Sequence, residues 1–116
     1  MGNPSWAPRA TSQVYSMNIQ RWQASKSPQK SHLQMMLSLE GLDFIEETYG
    51  PNEKVKEHRH PLTEIRIVVE GEMLFQVGGN QFVLRAGDRL EIPPNTKHSH
   101  ATFGQNFCVS LFAEKI

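Results

Sequence analysis

The succession of short apolar runs and turn signals predicts an all-β sandwich or barrel preceded by a short N-terminal helix. Three observations carry that class. About eight runs of strand character follow one another at roughly ten-residue spacing from Leu42 onward. Gly50-Pro51-Asn52 and Gly78-Gly79-Asn80 are strong turn signals, the second a hairpin signature. Ahead of them, one stretch near residues 28–40 carries helical periodicity.

Met1 to Ser16 hold Pro4, Pro8 and scattered small polar residues, and read as a loose tail; Met17 can itself begin the protein. The expected division is an N-terminal extension over 1–26 and a folded domain over 27–116. Trp6 and Trp22 in the extension are candidates to dock on the domain or on a partner subunit. Ser27 is the expected helix cap, Pro28 suits the first helical position, and Gly41 supplies a left-handed stop, giving a helix at about 28–40. Leu33, Met36, Leu37 and Glu40 fall on one face, which Met35 and Leu39 broaden, so this face packs. His32 reads as a surface residue. The expected strands are Leu42 to Tyr49, Val55 to His60, Glu64 to Glu70, Met73 to Val77, Gln81 to Leu84, Asp88 to Ile92, His98 to Phe103 and Phe107 to Phe112.

A chain of 116 residues buries a core without staples. Twelve basic and twelve acidic residues balance, with no Lys/Arg run, which argues against nucleic-acid binding. The single cysteine, Cys108, suits a reducing compartment and hence the cytoplasm, and reads as a small buried hydrophobe. The start lacks the apolar core of a secretory signal, and no apolar run approaches the roughly 18 residues a membrane helix needs.

Two clusters carry the chemistry. The first is His58-Arg59-His60-Pro61-Leu62-Thr63-Glu64, followed by Gly71; the second runs from Gly87 through Pro93 to His98. Imidazole and carboxylate bind divalent transition metals well. Strand alternation points His58 and His60 the same way, and the turn at Pro61-Leu62-Thr63 can return Glu64 beside them. His98 must arrive from a distant strand. Arg66 shares the face of Glu64, and His100 is in phase with His98.

These spacings resemble the two motifs of the cupin superfamily. His58, His60, Glu64 and Gly71 match the first, and Gly87, Pro93 and His98 the second. The 15 residues between Gly71 and Gly87 are similar to the spacing in small single-domain prokaryotic cupins. The resemblance implies a double-stranded β-helix, with His58, His60, Glu64 and His98 as ligands of a divalent metal (Fe, Mn, Ni, Co, Cu or Zn), and a homodimer. Three departures stand out. Seven residues rather than five separate Gly50 from His58, Asn95 replaces a motif glycine, and Thr102 replaces a closing Asn. Asn tolerates the left-handed conformation, so Pro94-Asn95 can still turn.

The order His-x-His-x-x-x-Glu-Ile-Arg also looks like acireductone dioxygenase, locally. Arg66 is a candidate to bind an anionic substrate group, or else pairs with Glu70 or a rim carboxylate. His100 is a candidate proton carrier behind the ligands, or else lies at the barrel mouth. The leading expectation is a metal-dependent dioxygenase acting on a small chelating molecule, and the alternative is a non-catalytic binding or sensing module. Epimerase chemistry is disfavoured, because the only tyrosines are Tyr15 in the tail and Tyr49 before a turn.

Overall fold

Glycine and asparagine at positive φ break the chain into short strands that stack as two facing antiparallel sheets. The computed structural model describes residues 17–116, so the expectations for Met1 to Ser16, Trp6 and Tyr15 lie outside the described residues. The elements are β1 (Asn18–Gln20), α1 (Lys30–Leu39), β2 (Phe44–Tyr49), β3 (Lys54–His58), β4 (Thr63–Glu70), β5 (Glu72–Val77), β6 (Asn80–Arg85), β7 (Arg89–Ile92), β8 (His98–Thr102) and β9 (Cys108–Lys115). One sheet has the order β1-β7-β4-β9-β2 and the other β3-β8-β5-β6. Mostly β, with one short helix among the described residues, set between β1 and β2, the fold is the expected class.

Between the sheets lies a core of Val68, Met73, Phe75, Val77, Leu84, Leu90, Ile92 and Cys108. Cys108 is the buried hydrophobe expected, and burial pushes its thiol up to about 11, so it stays protonated. A second cluster sits on the outer face of β4 and β9, where Leu33 and Leu37 of α1 cover Ile65, Ile67, Leu111 and Ala113. Burying each leucine contributes about 2 kcal/mol. β4 is therefore covered on both faces, and every residue from Glu64 to Val68 is buried.

The helix differs from expectation at its start. Ser27 does not cap it: Gln29 occupies the N-cap in an extended conformation without a side-chain bond, and helical residues begin at Lys30. Its end is as expected, with Gly41 at φ +78° and the Leu42 amide donating back to the Leu37 carbonyl. Met35 and Leu39 do not widen the packed face but are exposed. Glu40 instead reaches Arg89 on β7 with two contacts of 2.6 and 2.8 Å.

Strand β1 lies within the stretch expected as an extension and pairs antiparallel with β7. Beyond it, Asp88 gathers the chain: its carboxylate accepts from the Trp22 amide at 2.8 Å, the Arg85 amide at 2.9 Å and the Arg21 guanidinium at 2.8 Å. The Trp22 ring then lies so close to Gly87 that a Cβ there would stand 2.6 Å from it. No helix among the described residues is long and apolar enough to cross a membrane.

Candidate metal centre

His58 closes β3, and a register shift between Val55 and His58 loosens the ladder just before it. The chain then leaves the strand, so His60 stands in the connection to β4 rather than in a continuous strand. Glu64 sits in β4 opposite Ile92 of β7, and His98 opens β8, paired with His58. The two motifs are tied directly: Asn95, at φ +59°, donates its amide to the His60 carbonyl at 2.7 Å. Asparagine thus makes the left-handed turn in place of the motif glycine.

One potential ligand atom from each of His58, His60, Glu64 and His98 lies within 4.8 Å of the others. His98 Nε2 is 2.9 Å and His60 Nε2 3.1 Å from the same oxygen, Glu64 Oε1. The imidazoles are also oriented from behind. His58 Nδ1 lies 2.7 Å from the Lys56 carbonyl, and His98 Nδ1 lies 2.8 Å from the Thr96 carbonyl. A carbonyl only accepts, so Nδ1 carries the proton in both rings; without a metal His98 also donates from Nε2 to Glu64 Oε1, and loss of that proton would free the Nε2 lone pair for an ion. The fixed tautomers and the converging carboxylate oxygen fit a divalent transition ion.

Glu64 and His98 are both buried. Burial alone would raise the Glu64 carboxyl, but the His98 hydrogen bond and the Arg66 charge outweigh it and bring it to about 2. Burial likewise opposes charge on His98, and its bonds to Glu64 and to the Thr96 carbonyl reverse that and raise it.

Arg66 lies behind Glu64 with its side chain 3% exposed. Its Nε and a terminal nitrogen donate to Glu64 Oε2 at 3.1 and 3.0 Å. Its other terminal nitrogen donates to the Glu47 carboxylate and to Ser110 Oγ, and the guanidinium lies 4.9 Å from the Phe112 ring centroid. Its carboxylate partners are therefore Glu64 and Glu47, not Glu70, and it is not open to an incoming anion.

His100 does not join the four, nor does it sit at the mouth. It is buried, stacks on Phe75 at 5.0 Å, and its Nε2 lies 3.3 Å from the Tyr49 hydroxyl. Burial, aided by the Arg66 charge, lowers its pKa to about 3 and keeps it neutral. Its Nδ1 is buried without a partner among the described residues.

Two residues of this interior went unread in the sequence. Tyr49 ends β2 before the turn, as expected, but its side chain points inward, its hydroxyl donating to Glu47 at 2.8 Å; Glu47 takes the far side of Arg66. The available signal was the alternation of Ile45, Glu47 and Tyr49 in β2, but Glu46 and Glu47 adjoin, and composition does not say which points in. Beside the cluster, Ile45, Leu62, Phe112, Glu114 and Ile116 line an open groove. His60 links the two, 5.8 Å from the Phe112 centroid and 3.7 Å from Glu114.

A family model described as "Cupin domain" matches residues 45–112. Comparison with curated proteins gives no match. Among solved structures, a cupin-2 domain protein from Shewanella frigidimarina aligns at 21% identity over 65% of this chain and 71% of that one, with a TM-score of 0.55. An oxalate oxidase aligns at 25% identity over 64% of this chain and 41% of that one, TM-score 0.57. A DMSP lyase aligns at 24% identity over 65% and 38%, TM-score 0.60. This chain thus spans less than half the length of either enzyme.

Proposed function

Because this chain belongs to the cupin domain family, we propose that His58, His60, Glu64 and His98 hold a divalent transition metal ion that a small chelating organic molecule reaches from the groove. The observation that carries this reading is the convergence of four ligand atoms within 4.8 Å, with two imidazoles fixed by backbone carbonyls. When bound, such an ion supplies Lewis acidity, a template for a chelating ligand and, for a redox-active metal, dioxygen chemistry. The chain's own residues do the rest. Lys56 and Thr96 hold the rings, Arg66 occupies Glu64 Oε2 and leaves Oε1 for the ion, and Leu62 and Phe112 give the groove an apolar wall.

The reaction class we assign is non-haem dioxygenation of a small oxygenated compound. An oxalate oxidase among the structural neighbours supports a chelating substrate, since oxalate is itself a small chelating dicarboxylate. Arg66, already engaged by two carboxylates, argues that the metal rather than this arginine gives the substrate its anchor. The alternative, a non-catalytic binding module, is favoured by one observation: His100, the nearest uncommitted imidazole, is kept neutral and turned to Tyr49.

The test is metal content by mass spectrometry on protein purified without a metal-affinity column, beside His60→Ala and His98→Ala. Near-stoichiometric metal lost in both variants is the expected result. No metal, and no thermal stabilisation on adding Fe(II), Mn(II), Ni(II) or Zn(II), overturns it. Oxygen consumption by the loaded protein with a panel of chelators separates the enzyme from the binding module.

A further inference from the structure

Arg66 presents a problem for any cation site beside it. Its guanidinium donates two hydrogen bonds to Glu64 Oε2, so Glu64 and Arg66 alone form a neutral pair. Three neutral imidazoles and a neutral pair offer a divalent ion donor atoms but no net charge.

We infer that Glu47 restores that charge: by cancelling Arg66 from its far side, it leaves the carboxylate of Glu64 to the metal ion. The trio Glu64, Arg66 and Glu47 then carries a net −1. The inference rests on the metal-centre reading above and extends it to a residue that touches none of the four ligands.

The strand order makes the arrangement. β4, β9 and β2 are consecutive in their sheet, and the register sets Arg66 against Phe112 and Glu47 against Ser110. Arg66 reaches across β9 from the inner face and meets Ser110 Oγ at 3.0 Å and the Glu47 carboxylate beyond it. Tyr49 also donates to Glu47 at 2.8 Å, which satisfies the same carboxylate oxygen from a second side. Burial opposes charge on Glu47, but Arg66 outweighs it and lowers the pKa, so Glu47 is ionised at neutral pH. Glu47 is a positioning residue in the electrostatic sense: it acts on the ion through Arg66.

The experiment is isothermal titration of metal-stripped protein with Mn(II) at neutral pH, on the native chain, Glu47→Gln, Glu47→Asp and the double variant Arg66→Gln/Glu47→Gln. Glu47→Gln keeps the size and an acceptor but removes the charge, and is expected to weaken Mn(II) binding about 10- to 100-fold, the range for loss of an outer partner of a metal ligand. Glu47→Asp keeps the charge and most of the affinity. The double variant deletes both opposing charges, returns the net −1 on Glu64, and regains most of what Glu47→Gln lost; a purely structural role for Glu47 predicts the reverse, a double variant weaker than the single. Unchanged affinity in Glu47→Gln, or no recovery in the double variant, overturns the inference while the metal centre stands. No Mn(II) uptake by the native chain overturns both. If circular dichroism shows Glu47→Gln unfolded, the double variant decides alone: native-like binding supports the inference and weak binding sinks it.

Discussion

Gly71 is a motif glycine whose role the structure explains in two separable parts. It is the single residue between β4 and β5 and adopts φ +81°. A Cβ there would stand 2.2 Å from the Phe107 carbonyl oxygen and 3.1 Å from the Cys108 Cα. Holding alanine at left-handed φ costs about 1–2 kcal/mol. Both obstructing atoms are backbone at the entry to β9, so no side chain can swing away. The carbonyl must retreat by about 1 Å to reach ordinary contact, an overpacking that typically costs about 1–3 kcal/mol. Gly71→Ala is therefore expected to lose about 2–5 kcal/mol. Gly78 is the built-in control: φ is +55°, but nothing lies within 4 Å of its Cβ position, so Gly78→Ala bears only the conformational part, about 1–2 kcal/mol. Urea unfolding of both variants without metal, followed by far-UV circular dichroism, measures the difference. Equal losses in the two variants would refute the close-approach argument.

Other expectations follow the same logic. Asp88→Ala removes the acceptor for the Trp22 and Arg85 amides and is expected to cost about 3 kcal/mol and to speed amide exchange in β1; unchanged β1 protection would count against it. Arg89→Ala removes the ion pair between α1 and β7 and leaves Glu40 without its partner, while Glu91 keeps Lys115, at about 1 kcal/mol because Glu40 is partly solvated; a denaturation midpoint equal to the native one is the contrary result. Metal-free protein should weaken on acidification. Glu64 and His100 have folded pKa values of about 2 and 3, below their ordinary 4.5 and 6.5, so the stability they contribute at neutral pH is lost as pH falls from about 6.5 toward 2. His98, raised, acts in the opposite sense: its contribution is fully present below 6.5 and fades as pH climbs through the folded value. Urea midpoints between pH 7 and pH 3 check the balance, His100 acting below about 6.5 and Glu64 below about 4.5, and a midpoint that rises with acid would contradict it.

The strand series was legible because its punctuation is local. Gly78-Gly79 marks the hairpin, Gly50-Pro51-Asn52 the turn after β2, and the alternation in β4 separates Glu64, Arg66 and Val68 from Ile65 and Ile67. Asn95 was readable too, since its left-handed turn follows from side-chain chemistry. What escaped depends on distance along the chain. Nothing near Ser27 announces that the helix waits until Lys30, and Met35 and Leu39 match a packing face in composition yet face outward. The expected partner of Arg66 is Glu70 or a rim carboxylate; Glu70 is not the partner, and which other carboxylate serves was not legible, because Glu47 lies 19 residues back and two strands over in the same sheet. β1 was missed for a like reason: three residues carry almost no periodic signal, and their stability comes from the edge of β7.

The double coverage of β4 has a consequence for how this sequence can change. Successive residues of that strand answer to different neighbours: Ile65 and Ile67 to the helix, Glu64 and Arg66 to the centre. A slip of one residue would turn the carboxylate toward Leu33 and Leu37 and an isoleucine toward His98, so the helix acts as a clamp on the alignment of a ligand it never touches. The two sides are nonetheless independent alphabets. Ile65 and Ile67 can be rewritten together with the helix as an apolar set of equal volume, while Glu64 and Arg66 admit almost no spelling but their own.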